Sequence, residues 1–212
     1  MKNKKNIIIF ANGELPISKK ANEELLSNKF ILCCDGAVFK AESLSFEPDL
    51  IIGDLDSINN DIKKKYKDKI IKIKNQNSND LYKALNWANK NNVESVTIIG
   101  ADGGSDDHFL GNLFILLEND FNFKIKLITN NGQFNLTNNE DFSSVKNQRV
   151  SLFCLDREAK ITTHGLKYEL KNYQFKNLYG ATLNTAKTKK FKIECDSPQT
   201  KILVYRANEE TK

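Results

Sequence analysis

The strongest constraint on the fold is a change of rhythm near Asn131. Before it, short apolar runs alternate with helical patterns; after it, β-branched and alternating segments are separated by turn residues. Asn6–Ala11, Phe30–Asp35, Leu50–Gly53, Ile70–Ile73, Ser95–Ile99 and Lys124–Thr129 read as strands. Helical signals lie between several of them. Ser18 is placed to cap a helix through Leu25 and Leu26, and Asn60–Lys69 is helix-like. After Asn79, residues Leu81, Ala84, Leu85 and Ala88 fall at helical spacing, as do Phe109, Leu110, Leu113, Phe114 and Leu117. Short apolar strands separated by helices predict an α/β domain with a mainly parallel, doubly wound sheet covered on both faces. The later segments, Arg149–Leu155, Ala159–Thr163, Thr188–Cys195 and Lys201–Arg206, predict a small all-β sandwich or roll. The expected division is 1–131 and 132–212.

A chain of 212 residues can build two such cores. The longest apolar runs are about five residues, far short of a bilayer span. The basic start, Met1–Asn6, precedes only four apolar residues, too few for a signal-peptide core, so a cytoplasmic protein with no membrane partner is expected. Cys33 and Cys34 are adjacent on a strand, Cys154 and Cys195 stand alone, and no C-x-x-C spacing occurs. Buried, reduced thiols are the expectation. The formal charge of +5 is unevenly placed: residues 1–131 carry 18 Lys, no Arg and 18 acids, whereas 132–212 carry 14 basic residues and 9 acids. Lys63–Lys74 is the one strongly basic stretch. It lacks interleaved aromatic platforms and reads as a solvated helix face, so no nucleic-acid partner is expected.

In open parallel sheets, ligands bind beyond the C-terminal strand ends. Those ends are rich in acids and glycines here. Asp35-Gly36-Ala37 follows the second strand, and Gly53-Asp54-Leu55-Asp56-Ser57 the third. Asn77-Ser78-Asn79-Asp80 precedes the Leu81 helix, and residues 100–108 follow the Ser95 strand. Asp54 and Asp56 can face one point if the loop turns between them, a pattern that suits a hard divalent cation. Turn and cap chemistry accounts for the same tripeptide. Gly100 to Gly104 ahead of a helix offers N–H groups to phosphate, though no G-K-[ST] follows and a plain strand-to-helix turn is the alternative. His108 reads either as a proton carrier or ligand, or as a polar residue at a helix start.

Together these segments resemble the thiamine pyrophosphokinase family in order and spacing. The carriers are Cys34-Asp35-Gly36-Ala37, residues 48–57 (PDLIIGDLDS), Gln76-Asn77-Ser78-Asn79-Asp80, and Gly100 to His108 with Asn112. In the second half, residues 163–168 (THGLKY) and 180–184 (GATLN) resemble elements of the family's thiamine-binding β-domain.

The resemblance implies transfer of the pyrophosphoryl group of ATP to the thiamine hydroxyl, giving thiamine diphosphate and AMP. It assigns Asp54, Asp56 and Asp80 to Mg²⁺ and catalysis. ATP contacts fall to Asp35, Gly36, Gln76, Gly103, Gly104, Ser105, Asp107 and His108. Thiamine contacts fall to Thr182 and Asn184. It also implies a homodimer with sites shared between one α/β domain and the partner's β-domain. Three positions depart from the family pattern: Ser105 stands where the family has arginine, Asn77 where it has Asp, and Leu183 where it has Ser. A lysine, backbone N–H groups or a partner arginine must then replace the planar phosphate donor. Two alternatives follow: a pyrophosphokinase for another hydroxymethyl acceptor such as a pterin, and a catalytically degenerate thiamine or nucleotide binder.

Overall fold

The computed structural model describes residues 2–27, 29–75 and 77–208. The chain divides into two compact units, 1–130 and 131–212.

The first unit contains six strands: β1 (Asn6–Phe10), β2 (Phe30–Cys34), β3 (Leu50–Gly53), β4 (Ile70–Lys72), β5 (Ser95–Ile99) and β6 (Lys124–Ile128). All neighbours pair in parallel, in the order β6-β5-β1-β2-β3-β4. The helices are α1 (Lys19–Leu26), α2 (Ala37–Ser43), α3 (Asn60–Lys65), α4 (Asp80–Lys90) and α5 (Asp106–Glu118). Because side chains alternate along a strand, each strand feeds two cores. Ile8, Phe10, Ile31, Cys33 and Ile51 pack with Ala21 and Leu25 of α1, Val38 and Ala41 of α2 and Ile62 of α3. Ile7, Ile9, Leu32 and Ile52 are equally buried but alternate with that set, and α4 lies against β1, β2 and β3. The doubly wound arrangement explains why β1, β2 and β3 are nearly all apolar, whereas β6 alternates through Lys124 and Lys126.

Three caps set the helix starts. Ser18, Asn59 and Asn79 each accept a backbone N–H from the first turn of α1, α3 and α4. The helix-like stretch 60–69 is α3 followed by one 3-10 turn, Lys67–Lys69. Its lysines face solvent or pair with acids, Lys65 with Glu42 at 2.6 Å and Lys69 with Glu47 at 3.7 Å.

The second unit is a sandwich of two antiparallel sheets. Its strands are β7 (Gly132–Thr137), β8 (Glu140–Ser143), β9 (Arg149–Cys154), β10 (Ile161–His164), β11 (Asn184–Thr185), β12 (Lys190–Cys195) and β13 (Ile202–Ala207). One sheet orders β11-β9-β13-β7 and the other β10-β12-β8. Val150, Leu152, Ile202 and Val204 from the first meet Phe142, Ile161, Phe191 and Ile193 from the second. All four cysteines are free; three are buried, and Cys195 is only half-buried, short of the burial expected for it. No helix among the described residues is long and apolar enough to cross a membrane.

Candidate active site

Strand order reverses between β1 and β5, which makes their C-terminal ends the switch point of the sheet. The loops that leave them interlock. Ala11 donates its N–H to Ile99 O (2.9 Å), Gly13 to Gly100 O (2.6 Å) and Glu14 to Asp102 O (2.8 Å). This contact requires Gly13, since a Cβ there would overlap the carbonyl oxygens of Asp102 and Gly100. Asn130, just past β6, fastens the outer part of the first loop. Its side-chain oxygen accepts from Ile17 N (2.9 Å) and Ser18 N (3.3 Å), and its own N–H donates to Asp102 Oδ2 (3.0 Å). A cavity of about 710 Å³ opens at this point, lined among others by Asn12, Gly13, Lys40, Asp80, Gly104, Ser105 and His108. Gly103 and Gly104 both take positive φ, +70° and +77°, which leaves their N–H groups free of a helical ladder.

The carboxylates assemble beside this cavity. Asp35, Asp54 and Asp56 each bring an oxygen within 4.8 Å of the others. Leu55 makes this possible. Its φ of +69° turns the backbone between the two acids, and its side chain is buried with Ile58 and Ile62. Left-handed backbone costs a leucine about 1 kcal/mol. Gly53 lies directly beneath: a Cβ there would approach Asp35 Cβ to 2.8 Å and Asp80 Cγ to 3.3 Å. Asp54 stays below the usual carboxylate range chiefly because Asp56 N–H donates to it, with Lys83 contributing. Asp35 behaves oppositely. It is 2% exposed, and burial, reinforced by Asp80, Asp54 and Asp56, pushes its carboxyl up to about 6. Its Oδ2 accepts from Ser57 N (3.4 Å), while Oδ1 is buried with no hydrogen-bond partner among the described residues.

Asp80 joins this group from the first turn of α4 but is engaged elsewhere. Lys83 Nζ, one turn on and almost wholly buried, lies 2.8 Å from Asp80 Oδ1 and 3.9 Å from Asp54 Oδ2. The start of α4 is fixed by Asn79, whose Oδ1 caps Tyr82 N (2.9 Å). Its Nδ2 donates to Asn112 Oδ1 (3.0 Å), and Asn112 Nδ2 donates to Ala101 O (3.1 Å). One chain of bonds thus ties α4, α5 and the loop after β5 together. At the start of α5 the Ser105 hydroxyl donates to Asp107 Oδ1, which also accepts His108 N (2.8 Å). The Ser105 bond is the main reason the Asp107 carboxyl sits below its usual value. His108 is exposed at the cavity wall. Gly36 lies between the Asn12 side chain and Ser57, and Asn77 is exposed. Gln76 lies outside the described residues.

In the second unit, Thr182 is half-buried and bonds Tyr179 O through Oγ1 (2.9 Å). Asn184 is 5% exposed, and both ends of its carboxamide are used: Oδ1 accepts from Tyr168 N (3.0 Å) and Thr185 N (2.8 Å), and Nδ2 donates to Tyr168 O (2.6 Å). It braces the 168 loop and leaves the Tyr168 ring in solvent. Leu183, at φ +58°, projects into solvent as well.

The sequence reading passed over the 12–14 loop, Lys40 and Lys83. The strand-end rule applied to β1 would have found the first. The Asp80–Lys83 spacing, one helical turn, signalled the third. Lys40 had no local signal.

Family models for the thiamin pyrophosphokinase catalytic domain and for the thiamin pyrophosphokinase substrate-binding domain match residues 21–129 and 132–205. Thiamin pyrophosphokinase 1 of Caenorhabditis elegans is 26% identical over 198 residues, 85% of this chain and 80% of that protein. Thiamine pyrophosphokinase of Bacillus subtilis is 34% identical over 98 residues, 44% of this chain and 46% of that protein. A crystal structure of thiamine pyrophosphokinase from Bacillus subtilis superposes with a TM-score of 0.78 at 21% identity, covering 97% of this chain and all of that one, which establishes the shared fold. With the two units in the same order and both matched, this chain belongs to the thiamin pyrophosphokinase family.

Proposed function

We propose that this protein transfers the pyrophosphoryl group of ATP to the hydroxyl of thiamine, releasing thiamine diphosphate and AMP. The observation that carries the proposal is the cluster of Asp35, Asp54 and Asp56 beside the switch-point cavity. An all-oxygen donor set with one buried, unpartnered oxygen on Asp35 fits a hard divalent cation, and Mg²⁺ is the ion proposed. Asp35, Asp54 and Asp56 would hold it. Asp80, the third ligand expected from the sequence, is engaged by Lys83. When bound, the ion offsets charge on the phosphate oxygens and makes the β-phosphorus a better electrophile.

The chain's own groups do the positioning. The N–H groups of Gly103 and Gly104 and the start of α5 suit phosphate oxygens. Asp54 is assigned to the cation, which leaves it unavailable as a proton acceptor. Asp80 Oδ2 is the atom proposed to take the hydroxyl proton, because Lys83 engages Oδ1. Thiamine binding is assigned to 132–212, near Thr182. A cytoplasmic homodimer that completes each site is part of the same proposal.

The substrate-binding domain of the family matches the second unit, which disfavours a pterin acceptor. The acids argue against a degenerate nucleotide binder, since without a metal they repel phosphate. Purified protein with ATP, Mg²⁺ and thiamine is expected to form AMP and thiamine diphosphate in equal amounts. Formation of ADP, turnover of a hydroxymethylpterin in place of thiamine, or no turnover would each overturn the proposal. Asp54→Asn is expected to abolish turnover with the circular dichroism spectrum unchanged.

A further inference from the structure

We infer that Lys40 is the fixed cation that this chain presents to the polyphosphate of its nucleotide substrate, on the cavity wall made by the loop after β1. The inference rests on the proposed use of ATP. Among the described residues that line the cavity, Lys40 alone carries a permanent positive charge. Lys83 is nearby, but its ammonium is buried between Asp80 and Asp54 and serves the acidic cluster. The Gly103-Gly104-Ser105 segment supplies N–H groups and a hydroxyl but no cation.

Lys40 is presented rather than loosely exposed. It lies one turn into α2, the helix that begins directly after Asp35 and Gly36. Its Nζ donates to Asn12 O (2.8 Å) and to Gly13 O. No described carboxylate lies within ion-pair distance, so two neutral carbonyls hold the ammonium without neutralising it. Burial lowers its pKa more than the Glu14 carboxylate raises it. An ammonium has three donors, and two are used here. The third can serve a phosphate oxygen, a charge-assisted contact. The acids and the lysine thus supply opposite needs of one ligand: the acids hold its metal, and Lys40 meets anionic charge beyond that metal's reach.

A purely mechanical role is the competing account, in which Lys40 only clasps the 12–13 loop. Calorimetric titration of wild type, Lys40→Met and Lys40→Arg with ATP and with adenosine, in Mg²⁺ and without thiamine, separates the two. Lys40→Met is expected to weaken ATP about ten- to a hundredfold. Adenosine affinity is expected to stay unchanged, and Lys40→Arg to restore most of the ATP affinity. Unchanged ATP affinity in Lys40→Met overturns the inference, as does equal weakening of ATP and adenosine, which marks a clasp. If wild type itself binds no ATP, the proposed function fails as well, an outcome distinct from either.

Discussion

Asp35 shows how one residue can oppose the fold and serve the site. Its carboxyl titrates near 6 in the folded chain, against an ordinary value of 3.8. Between those values the folded state holds the proton and the unfolded state has lost it, so stability falls as pH rises from about 4 to about 6. Above that window the ionised group is a standing cost of about 3 kcal/mol. Asp35→Asn is therefore expected to raise the metal-free melting temperature at pH 7.5 by about 6–12 °C, and to remove most of the stabilisation that added Mg²⁺ gives wild type. Differential scanning calorimetry with and without Mg²⁺ measures both; a lower metal-free value in the variant would refute the account. Asp54 and Asp56 were legible in the sequence because two acids flank one residue after a strand. That Leu55 turns them inward was not, because left-handed backbone at a leucine has no residue-type signal. Asn184 shows the converse. Its motif was visible, but sequence could not reveal that both ends of its side chain are used to brace Tyr168.

At the scale of elements, the long and well-capped pieces were readable and the short ones were not. α1 and α4 begin at the residues their caps indicated. α2 escaped notice because its seven residues offer no capping side chain and less than two full turns of pattern. β8 and β11 were missed for a related reason: they are short, with Phe142 the one apolar residue of β8 and none in β11, whereas β7 does alternate, Phe134 and Leu136 with Gln133, Asn135 and Thr137, and was legible. Asn79 has the most consequential cap, since it also bonds Asn112 and so links α4 to α5. Asn79→Ala is expected to cost about 1–2 kcal/mol, read as a fall of about 2–8 °C in melting temperature. It should also lower kcat, because Asp80 occupies the turn that the cap holds. A fall in stability with kcat intact would separate the helix start from the chemistry.

For the whole molecule, Arg149, Arg157 and Arg206 all lie after residue 131, so a partner arginine serving the phosphates would have to be one of these three. Arg206 is committed elsewhere. Its guanidinium donates to Ser143 O and Asn135 Oδ1, both at 2.9 Å, and lies over the Phe142 ring at 4.8 Å. Arg206→Gln is expected to destabilise the chain by about 2 kcal/mol and leave the KM for ATP unchanged. A raised KM with unchanged stability would return Arg206 to the site. Arg149 and Arg157, both exposed, are the two arginines left for such a role. The strand order has a consequence in time as well as in space. β1 is made first, yet its second neighbour, β5, joins it only after a separation of nearly ninety residues (Asn6 beside Ser95). Closing so long a loop is slow. A growing chain that has just delivered α4 already holds Asp35, Asp54, Asp56 and Asp80, but lacks the glycine loop and leaves one edge of β1 unpaired. The cavity is therefore among the last features of the first unit to form, and until then β1 is the edge most open to pairing with another nascent chain.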